Sequence, residues 1–172
     1  MTPYNYSANN PLFYVDVNGD SLDVVKTSDN KEIFVDKKIS DSVRQLIKWA
    51  KESGIPMDVS EDFRTTKEQK ELKERFAIER PDVKVADPGT SRHESGFALD
   101  IRTSKMTQEQ KPQFEKKAKE FGLKKEVKGE PWHFQADPLK HGFKSRKAAI
   151  KENQAHYKEL IKEKRKDGKK TN

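Results

Sequence analysis

Short apolar runs separated by turn residues occupy the first part of the chain, which is a pattern of β-strands. Residues 12–17 and 22–27 are two such runs, and the Asn18-Gly19 dipeptide between them is a hairpin signal. A further turn signal at 28–30 precedes another apolar run at 32–35. The pattern predicts short β structure over this region.

A helical period follows. Apolar residues recur three and four positions apart at Val43, Leu46, Ile47 and Ala50. This spacing places them on one face of a helix, with Ser40 or Asp41 as the predicted cap and Gly54 as the stop. Residues 55–63 then read as extended.

Two more helices are predicted further along. Thr66 and Gln69 have the spacing of a capping box, and Leu72 and Phe76 would face inward before Pro81 ends the helix. The next helix covers approximately residues 112–121 and stops at Gly122, although the proline at its start leaves that boundary open.

Short strands are predicted at residues 97–101, 123–127 and 132–135. Helices and strands are mixed without regular βαβ alternation, which favours an α+β fold: a small antiparallel sheet with flanking helices. From about residue 141, Ile150, Tyr157 and Ile161 stand at near-helical spacing among many lysines, so a basic C-terminal helix is expected.

Composition sets the scale of this fold. The 172 residues are 31% hydrophobic and 38% charged, which predicts one compact core with appendages. We divide the chain into three parts: residues 1–36, a junction and hairpin linker; residues 37–140, the main domain; and residues 141–172, the tail. Without cysteine, a metal site would have to use His, Asp or Glu. The sequence shows no apolar run long enough for a membrane span, and MTPYNYSANN does not resemble a signal peptide.

The formal net charge of +7 is unevenly placed. Residues 141–172 contain eleven basic and four acidic residues, so residues 1–140 are formally neutral. The basic character therefore belongs to the tail. A basic tail can attract nucleic acid, acidic wall polymers or anionic lipid, and it is also what a solvated helix would show.

Two segments have the chemistry of a hydrolytic metal centre. They contain His93, Asp100 and His133, which are ligand types that zinc takes, and Glu130 lies three residues before the last of them. Gly96 would let the chain turn sharply between His93 and the strand that follows.

Strand alternation supports this interpretation. Phe97, Leu99 and Ile101 would face the core, which leaves Asp100 on the opposite face. In residues 132–135 the two aromatic residues would likewise share one face and leave His133 on the other. Regular strand geometry does not bring Glu130 to the side of His133, so a bend between them is required.

The pattern Ser91-x-His93-x-x-Gly96-x-Ala98-x-Asp100, with Glu130-Pro131-Trp132-His133, resembles the zinc D-Ala-D-Ala carboxypeptidases of the VanY type and related L-alanyl-D-glutamate endopeptidases. The resemblance implies a fold of the D-Ala-D-Ala carboxypeptidase/hedgehog kind. It also implies a Zn²⁺ cofactor bound by the two histidines and Asp100, with Glu130 as catalytic base.

The same resemblance implies the substrate contacts. Arg64 would contact the substrate and stabilise the developing oxyanion, and Ser91, Gln69 and Trp132 would line the binding site. Glu61 and Asp62, just before Arg64, depart from the small residues usual in the family. The implied substrates are peptidoglycan stem peptides; either a D,D-carboxypeptidase or an endopeptidase activity fits, with the carboxypeptidase favoured. We expect a monomer.

The opening of the chain has a second resemblance. Tyr4-x-Tyr6-x-x-Asn9-Asn10-Pro11, followed by Asp16 and Gly19, is similar to the end of the core of rearrangement-hotspot (RHS) repeat proteins, where a variable effector domain begins. This resemblance implies an antibacterial domain of a larger protein that is secreted or delivered to the periplasm or cell wall, with a cognate immunity protein.

Two other functions fit parts of the sequence. A metal-dependent nuclease would use His141 and the lysines beyond it against phosphate, although the neutral charge of residues 1–140 speaks against nucleic acid as a partner. A non-catalytic wall-binding module would retain the zinc site without turnover, and the presence of Glu130 speaks against that.

Overall fold

Two small antiparallel sheets and four α-helices make up the computed structural model, which describes residues 21–168 and their side chains as far as residue 162. The strands are β1 (Leu22–Lys26), β2 (Glu32–Asp36), β3 (Val59–Glu61), β4 (Ala98–Ile101) and β5 (His133–Gln135). The helices are α1 (Lys37–Glu52), α2 (Thr66–Glu79), α3 (Gln110–Glu120) and α4 (Arg146–Gly168). The strand predicted at 12–17, its Asn18-Gly19 turn and the RHS-like motif lie outside the described residues.

The first sheet is a hairpin of β1 and β2, paired from Leu22↔Asp36 to Lys26↔Glu32. The turn predicted at 28–30 is confirmed: Asn30 takes the left-handed conformation with φ of 63°, and the Thr27 N–H donates to the Lys31 carbonyl. Asparagine tolerates this conformation better than most residues.

The N-cap of helix α1 lies four residues before Ser40, the earlier of the two predicted caps. Asp36 is the N-cap, and its carboxylate accepts from the Lys38 N–H at 2.8 Å. Ser40 lies buried inside the helix, and Asp41 is exposed on its outer face. The prediction missed the start because β2 runs directly into the helix, so the cap is also the last strand residue.

The capping box of α2 is displaced by one residue from its predicted position. Thr65 is the N-cap: its hydroxyl accepts from the Glu68 N–H, and the Glu68 carboxylate accepts from the Thr65 N–H. Gln69 is thereby released from capping and lies buried, where it contacts Arg64.

The second sheet has the order β3-β4-β5, all antiparallel. Its core face carries Leu99, Ile101 and Phe134, all fully buried, as the alternation predicted. In the predicted strand at 123–127 only Lys124 forms a bridge, to Gln135, before the chain leaves the sheet.

The last helix packs against the first sheet and the turn at His93–Ser95. In α4, Ala149, Ile150, Asn153 and His156 are buried. Asn153 Nδ2 donates to the Asp36 carboxylate and to the Ser95 carbonyl, both at 2.7 Å. The predicted α+β class and the C-terminal helix are therefore confirmed. No helix within residues 21–168 has both the length and the apolar character needed to cross a membrane.

Candidate metal centre

Three side chains from separate elements converge at one point of the second sheet. Asp100 and His133 are direct cross-strand partners on β4 and β5, and His93 lies in a short 3₁₀ turn, His93–Ser95, just before β4. Asp100 Oδ1 lies 2.9 Å from His133 Nδ1 and 3.3 Å from His93 Nε2, and the two imidazole nitrogens are 3.3 Å apart. Ligand atoms bound tetrahedrally at 2.0–2.1 Å would be about 3.3 Å apart, so the spacing fits a zinc-sized cation.

Each imidazole has a partner that orients it. The second nitrogen of His93, Nδ1, lies 2.8 Å from the Asp62 carbonyl, and the second nitrogen of His133, Nε2, lies 3.1 Å from Gln135 Oε1. Both partners are acceptors, so the N–H of each ring points outward and the lone pairs of His93 Nε2 and His133 Nδ1 face the centre. Partners of this kind fix the tautomer of metal-binding histidines.

Gln135 and Glu126 were not predicted as site residues. Gln135 is buried, and its amide donates to the Glu126 carboxylate at 3.1 Å, which holds the amide oxygen toward His133. The sequence contained a usable signal for Gln135, because residues two apart on a strand share a face. Glu126 had no such signal, since it lies in the irregular segment before β5.

The charges of the centre favour an ionised carboxylate. Burial alone would raise the pKa of Asp100, but hydrogen bonds and charge interactions with His133 and His93 outweigh burial, and the net pKa is lowered. Burial likewise disfavours the charged form of His133, and the contact with Asp100 more than offsets this, so its pKa is raised. Among the described residues, Asp100 is the carboxylate that contacts both rings.

The bend required for Glu130 is present. The His133 N–H donates to the Glu130 carbonyl at 3.1 Å, which closes a turn over residues 130–133. This turn returns the Glu130 carboxylate to 3.9 Å from His133 Nδ1, with the side chain 39% exposed. The turn also removes Trp132 from the strand. Trp132 is 44% exposed, so the prediction that it shares the core face with Phe134 is wrong.

Three contacts fix Arg64 in place beside His93. Its backbone N–H donates to the His93 carbonyl at 3.1 Å. Its guanidinium donates to Gln69 Oε1 at 2.7 Å and pairs with Glu61 at 3.2 Å, and its side chain is 13% exposed. Gln69 in turn donates to the Ala86 carbonyl, so it acts as a rigid support.

All of the predicted site residues line one cleft of about 570 Å³. Ser91 is buried at its wall, where its hydroxyl accepts from the His93 N–H at 3.3 Å. The fully buried Glu94, which was not predicted, accepts from the Gly89 and Ser91 N–H groups and so shapes this loop. A buried His-Asp-His set beside a half-exposed carboxylate and a fixed arginine can bind a divalent cation and hydrolyse a polar bond.

Comparison with solved structures supports the same architecture. A mutant of vancomycin resistance D,D-pentapeptidase VanY from a VanB-type cassette, in complex with Zn(II), is 23% identical over 67% of this chain and 78% of its own, with a TM-score of 0.53. VanYB in complex with D-alanine-D-alanine is also 23% identical, covers 78% of this chain and 83% of its own, and has the same TM-score. DacB from Streptococcus pneumoniae is 20% identical over 77% and 88%, with a TM-score of 0.50.

Curated proteins give no significant match. A family profile described as VanY, D-alanyl-D-alanine carboxypeptidase, matches residues 32–137. This range contains every residue of the candidate centre and more than half of the chain. The protein therefore belongs to the VanY family of D-alanyl-D-alanine carboxypeptidases.

Proposed function

We propose that the protein is a zinc-dependent peptidase that hydrolyses peptidoglycan stem peptides. The observation that carries the proposal is the turn over residues 130–133, which sets the Glu130 carboxylate beside a ready-made His-Asp-His donor set. Family membership supports the reaction class. The zinc in one VanY structure and the D-alanine-D-alanine in another support the cofactor and the substrate.

The donor set suits zinc. Zinc would be held by His93 Nε2, Asp100 and His133 Nδ1, which are borderline ligands at tetrahedral spacing, and it would have an open side toward the cleft. When bound, zinc supplies Lewis acidity and lowers the pKa of water toward ~7.

Glu130 is the general base in this proposal. Its half-exposed carboxylate reaches the cleft, so it can accept a proton from the attacking water and return that proton to the leaving amine. Its place in a hydrogen-bonded turn keeps the carboxylate near the reacting bond without making it a fourth buried ligand.

Arg64 stabilises the oxyanion in this proposal. Gln69 and Glu61 hold its guanidinium in place before substrate arrives, so little reorganisation is needed as negative charge develops on the carbonyl oxygen. Ser91 and Trp132 line the same cleft and would contact the peptide.

Within this class we favour D,D-carboxypeptidase activity, which removes one D-alanine, and retain L-Ala-D-Glu endopeptidase activity as the alternative. Mass spectrometry of the products separates the two, because one releases a single amino acid and the other a longer stem fragment.

Replacement of the base tests the proposal. We expect Glu130→Ala to bind zinc at the wild-type ratio and to lose hydrolysis by about 10²–10⁴-fold, because it removes only proton transfer. Zinc content and the rate of D-alanine release are measured together. Glu79→Gln, exposed on α2, is the control and should be fully active. A fully active Glu130→Ala protein would refute the role of Glu130 as general base. Loss of zinc from this variant would instead indicate that Glu130 is a zinc ligand.

The competing functions are tested by the same protein. Peptidoglycan and DNA are each incubated with it, with and without chelator. Zinc-restored release of muropeptides supports the peptidase. Cleavage of DNA would support a nuclease, and binding of peptidoglycan without turnover would support a wall-binding module.

We further propose that the chain acts as an antibacterial effector domain of an RHS protein, outside the cytoplasm and with an immunity protein. The support is the motif at residues 4–11 with Asp16 and Gly19. Directed to the periplasm of a Gram-negative host, the wild type should cause lysis and Glu130→Ala should not. Equal growth of both would remove the support for toxicity.

A further inference from the structure

One side chain of the cleft comes from outside the region that the family profile matches. Arg146 is the first residue of α4, beyond the matched range of 32–137, yet it lines the same cleft as His93 and Glu130. Its Nη1 donates to the Thr90 carbonyl at 3.2 Å, directly before Ser91 in the chain. Its Nε is buried and has no hydrogen-bond partner within residues 21–168.

Arg92 is the second cation at this wall of the cleft. Its guanidinium makes a long 3.4 Å contact to the Ala136 carbonyl and lies 3.9 Å from the Asp137 carboxylate, with one fifth of the side chain exposed. Arg146 donates to the carbonyl of Thr90, two residues before Arg92, so both guanidinium groups belong to the same wall of the cleft. The hydrogen bond and the ion pair of Arg92 are both long, so its guanidinium is only weakly paired within the protein.

The cleft as a whole has an excess of positive charge. Five basic and three acidic residues line it: Arg64, Arg75, Lys84, Arg92 and Arg146, against Glu61, Asp100 and Glu130. Glu61 is paired with Arg64, Asp100 belongs to the metal centre, and Glu130 is the proposed base. The unpaired positive charge therefore lies on the wall of the cleft that would contact the peptide, although residues 1–140 as a whole are formally neutral.

Two partly desolvated guanidinium groups on one wall of a cleft favour the binding of an anion, which offsets the cost of desolvating their charges. Carboxylate is the anion that arginine binds best among peptide groups, by paired charge-assisted hydrogen bonds. A stem peptide carries carboxylates away from the scissile bond: that of its D-glutamyl residue and, in some cell walls, that of a diaminopimelyl side chain.

We propose that Arg92 and Arg146 form a subsite for a second carboxylate of the stem peptide and make the enzyme selective for peptides that carry it. This inference rests on the proposed peptidase function and deepens it. Arg146 is the first residue of α4, so the C-terminal helix takes part in substrate recognition.

The test is a set of four pentapeptides ending in D-Ala-D-Ala. The third residue is lysine or diaminopimelate, and the D-glutamyl carboxylate is either free or amidated. With zinc-loaded wild type we expect kcat/KM to fall at least about tenfold, mainly through KM, when the recognised carboxylate is absent. The member of the set that shows the fall identifies which carboxylate is bound.

Variants locate the effect. Arg146→Gln should abolish the preference, so that kcat/KM becomes equal for peptides with and without the carboxylate, whereas Arg146→Lys should retain part of the preference. Arg80→Gln, at an exposed arginine outside the cleft, should behave as wild type. Circular dichroism checks that each variant is folded; if Arg146→Gln does not fold, Arg92→Gln provides the same comparison.

Calorimetric titration of the four peptides onto metal-free wild type separates this subsite from the reaction. Tighter binding of the carboxylate-bearing peptide, together with no hydrolysis of any peptide by the zinc-loaded protein, would overturn the proposed function and support the subsite. Hydrolysis of all four at equal kcat/KM, or an equal loss on all four in Arg146→Gln, would overturn the subsite and leave the peptidase intact.

Discussion

The side-chain amide of Gln135 orients the imidazole of His133. Its oxygen lies 3.1 Å from His133 Nε2, and its nitrogen is held by Glu126. A hydrophobic replacement of similar size leaves the ring N–H without its acceptor, so the ring can rotate and change tautomer. We expect Gln135→Leu to weaken zinc binding by about 10–100-fold.

Competition with a chromophoric chelator measures this affinity, and the visible spectrum of the Co²⁺-substituted protein reports the ligand geometry. Gln113→Leu, exposed on α3, is the control and should bind zinc as the wild type does. Wild-type affinity and spectrum in Gln135→Leu would show that the packing of the imidazole alone fixes it.

Asp36 links stability to pH. Its carboxyl is 1% exposed, and burial raises its pKa from 3.8 to about 6, although hydrogen bonds from Asn153 and the Lys38 N–H oppose the rise. The folded state therefore prefers the protonated form. The stability from this group is complete below pH ~4 and is lost as the pH rises through about 6.

Asp36→Asn does not titrate and retains an oxygen that can cap α1. Compared with this variant, the wild type should lose about 3 kcal/mol of unfolding free energy between pH 4 and pH 7. Urea unfolding at a series of pH values, with chelator present throughout, gives both curves. Two curves that run parallel over this range would contradict the raised pKa.

At the scale of elements, the turn from His93 into β4 depends on the absence of a side chain. Gly96 has a φ of 72°, and a Cβ there would lie 2.9 Å from the Asp36 nitrogen and 3.1 Å from Leu22 Cδ2. The Asp36 N–H also donates to the Gly96 carbonyl at 2.9 Å, so the first sheet and the metal-binding turn touch here. Substitution costs both the left-handed conformation and the overlap.

We expect Gly96→Ala to lower the free energy of unfolding by about 2–4 kcal/mol. Gly122→Ala is the matched control, because its φ is 83° and a Cβ there meets nothing within 4 Å. The control should cost only about 1–2 kcal/mol. Denaturant titration of both variants gives the difference, and equal losses would mean that the backbone conformation alone requires glycine at residue 96.

Element boundaries were predicted less well than element types, for reasons that α2 illustrates. Thr65 and Thr66 are both acceptable caps, with Glu68 and Gln69 as their respective partners. The choice is made by Arg64, which takes Gln69 into its own hydrogen bond. Arg64 lies outside the helix, so its contact with Gln69 cannot be predicted from the capping pattern alone.

At the scale of the molecule, the convergence of the candidate metal ligands was predictable and their surroundings were not. Strand alternation fixes the directions of Asp100 and His133, and Gly96 allows the turn that brings in His93. Arg146 and Asn153 lie far from these motifs in the chain and reach the same region only because α4 folds back against the first sheet and the His93–Ser95 turn. The division of the chain at residue 141 remains a prediction.

The centre joins parts of the molecule that are distant in sequence, so metal binding should stabilise the whole domain. The His93–Ser95 turn, β4 and β5 each provide one of the proposed ligands, and unfolding separates all three. Zinc at 100 times its dissociation constant adds about 2.7 kcal/mol to the free energy of unfolding. For a chain of this size that corresponds to a rise in Tm of about 5–11 °C.

Differential scanning calorimetry with zinc and with chelator measures the rise in Tm for each protein against its own metal-free form. His133→Ala removes a ligand and should lose most of the rise, whereas Glu130→Ala should retain it because the base is not a ligand in the proposed mechanism. An undiminished rise in His133→Ala would place the zinc elsewhere on the surface. A rise lost in Glu130→Ala would instead make that carboxylate part of the coordination sphere, so stability separates binding from catalysis without any measurement of activity.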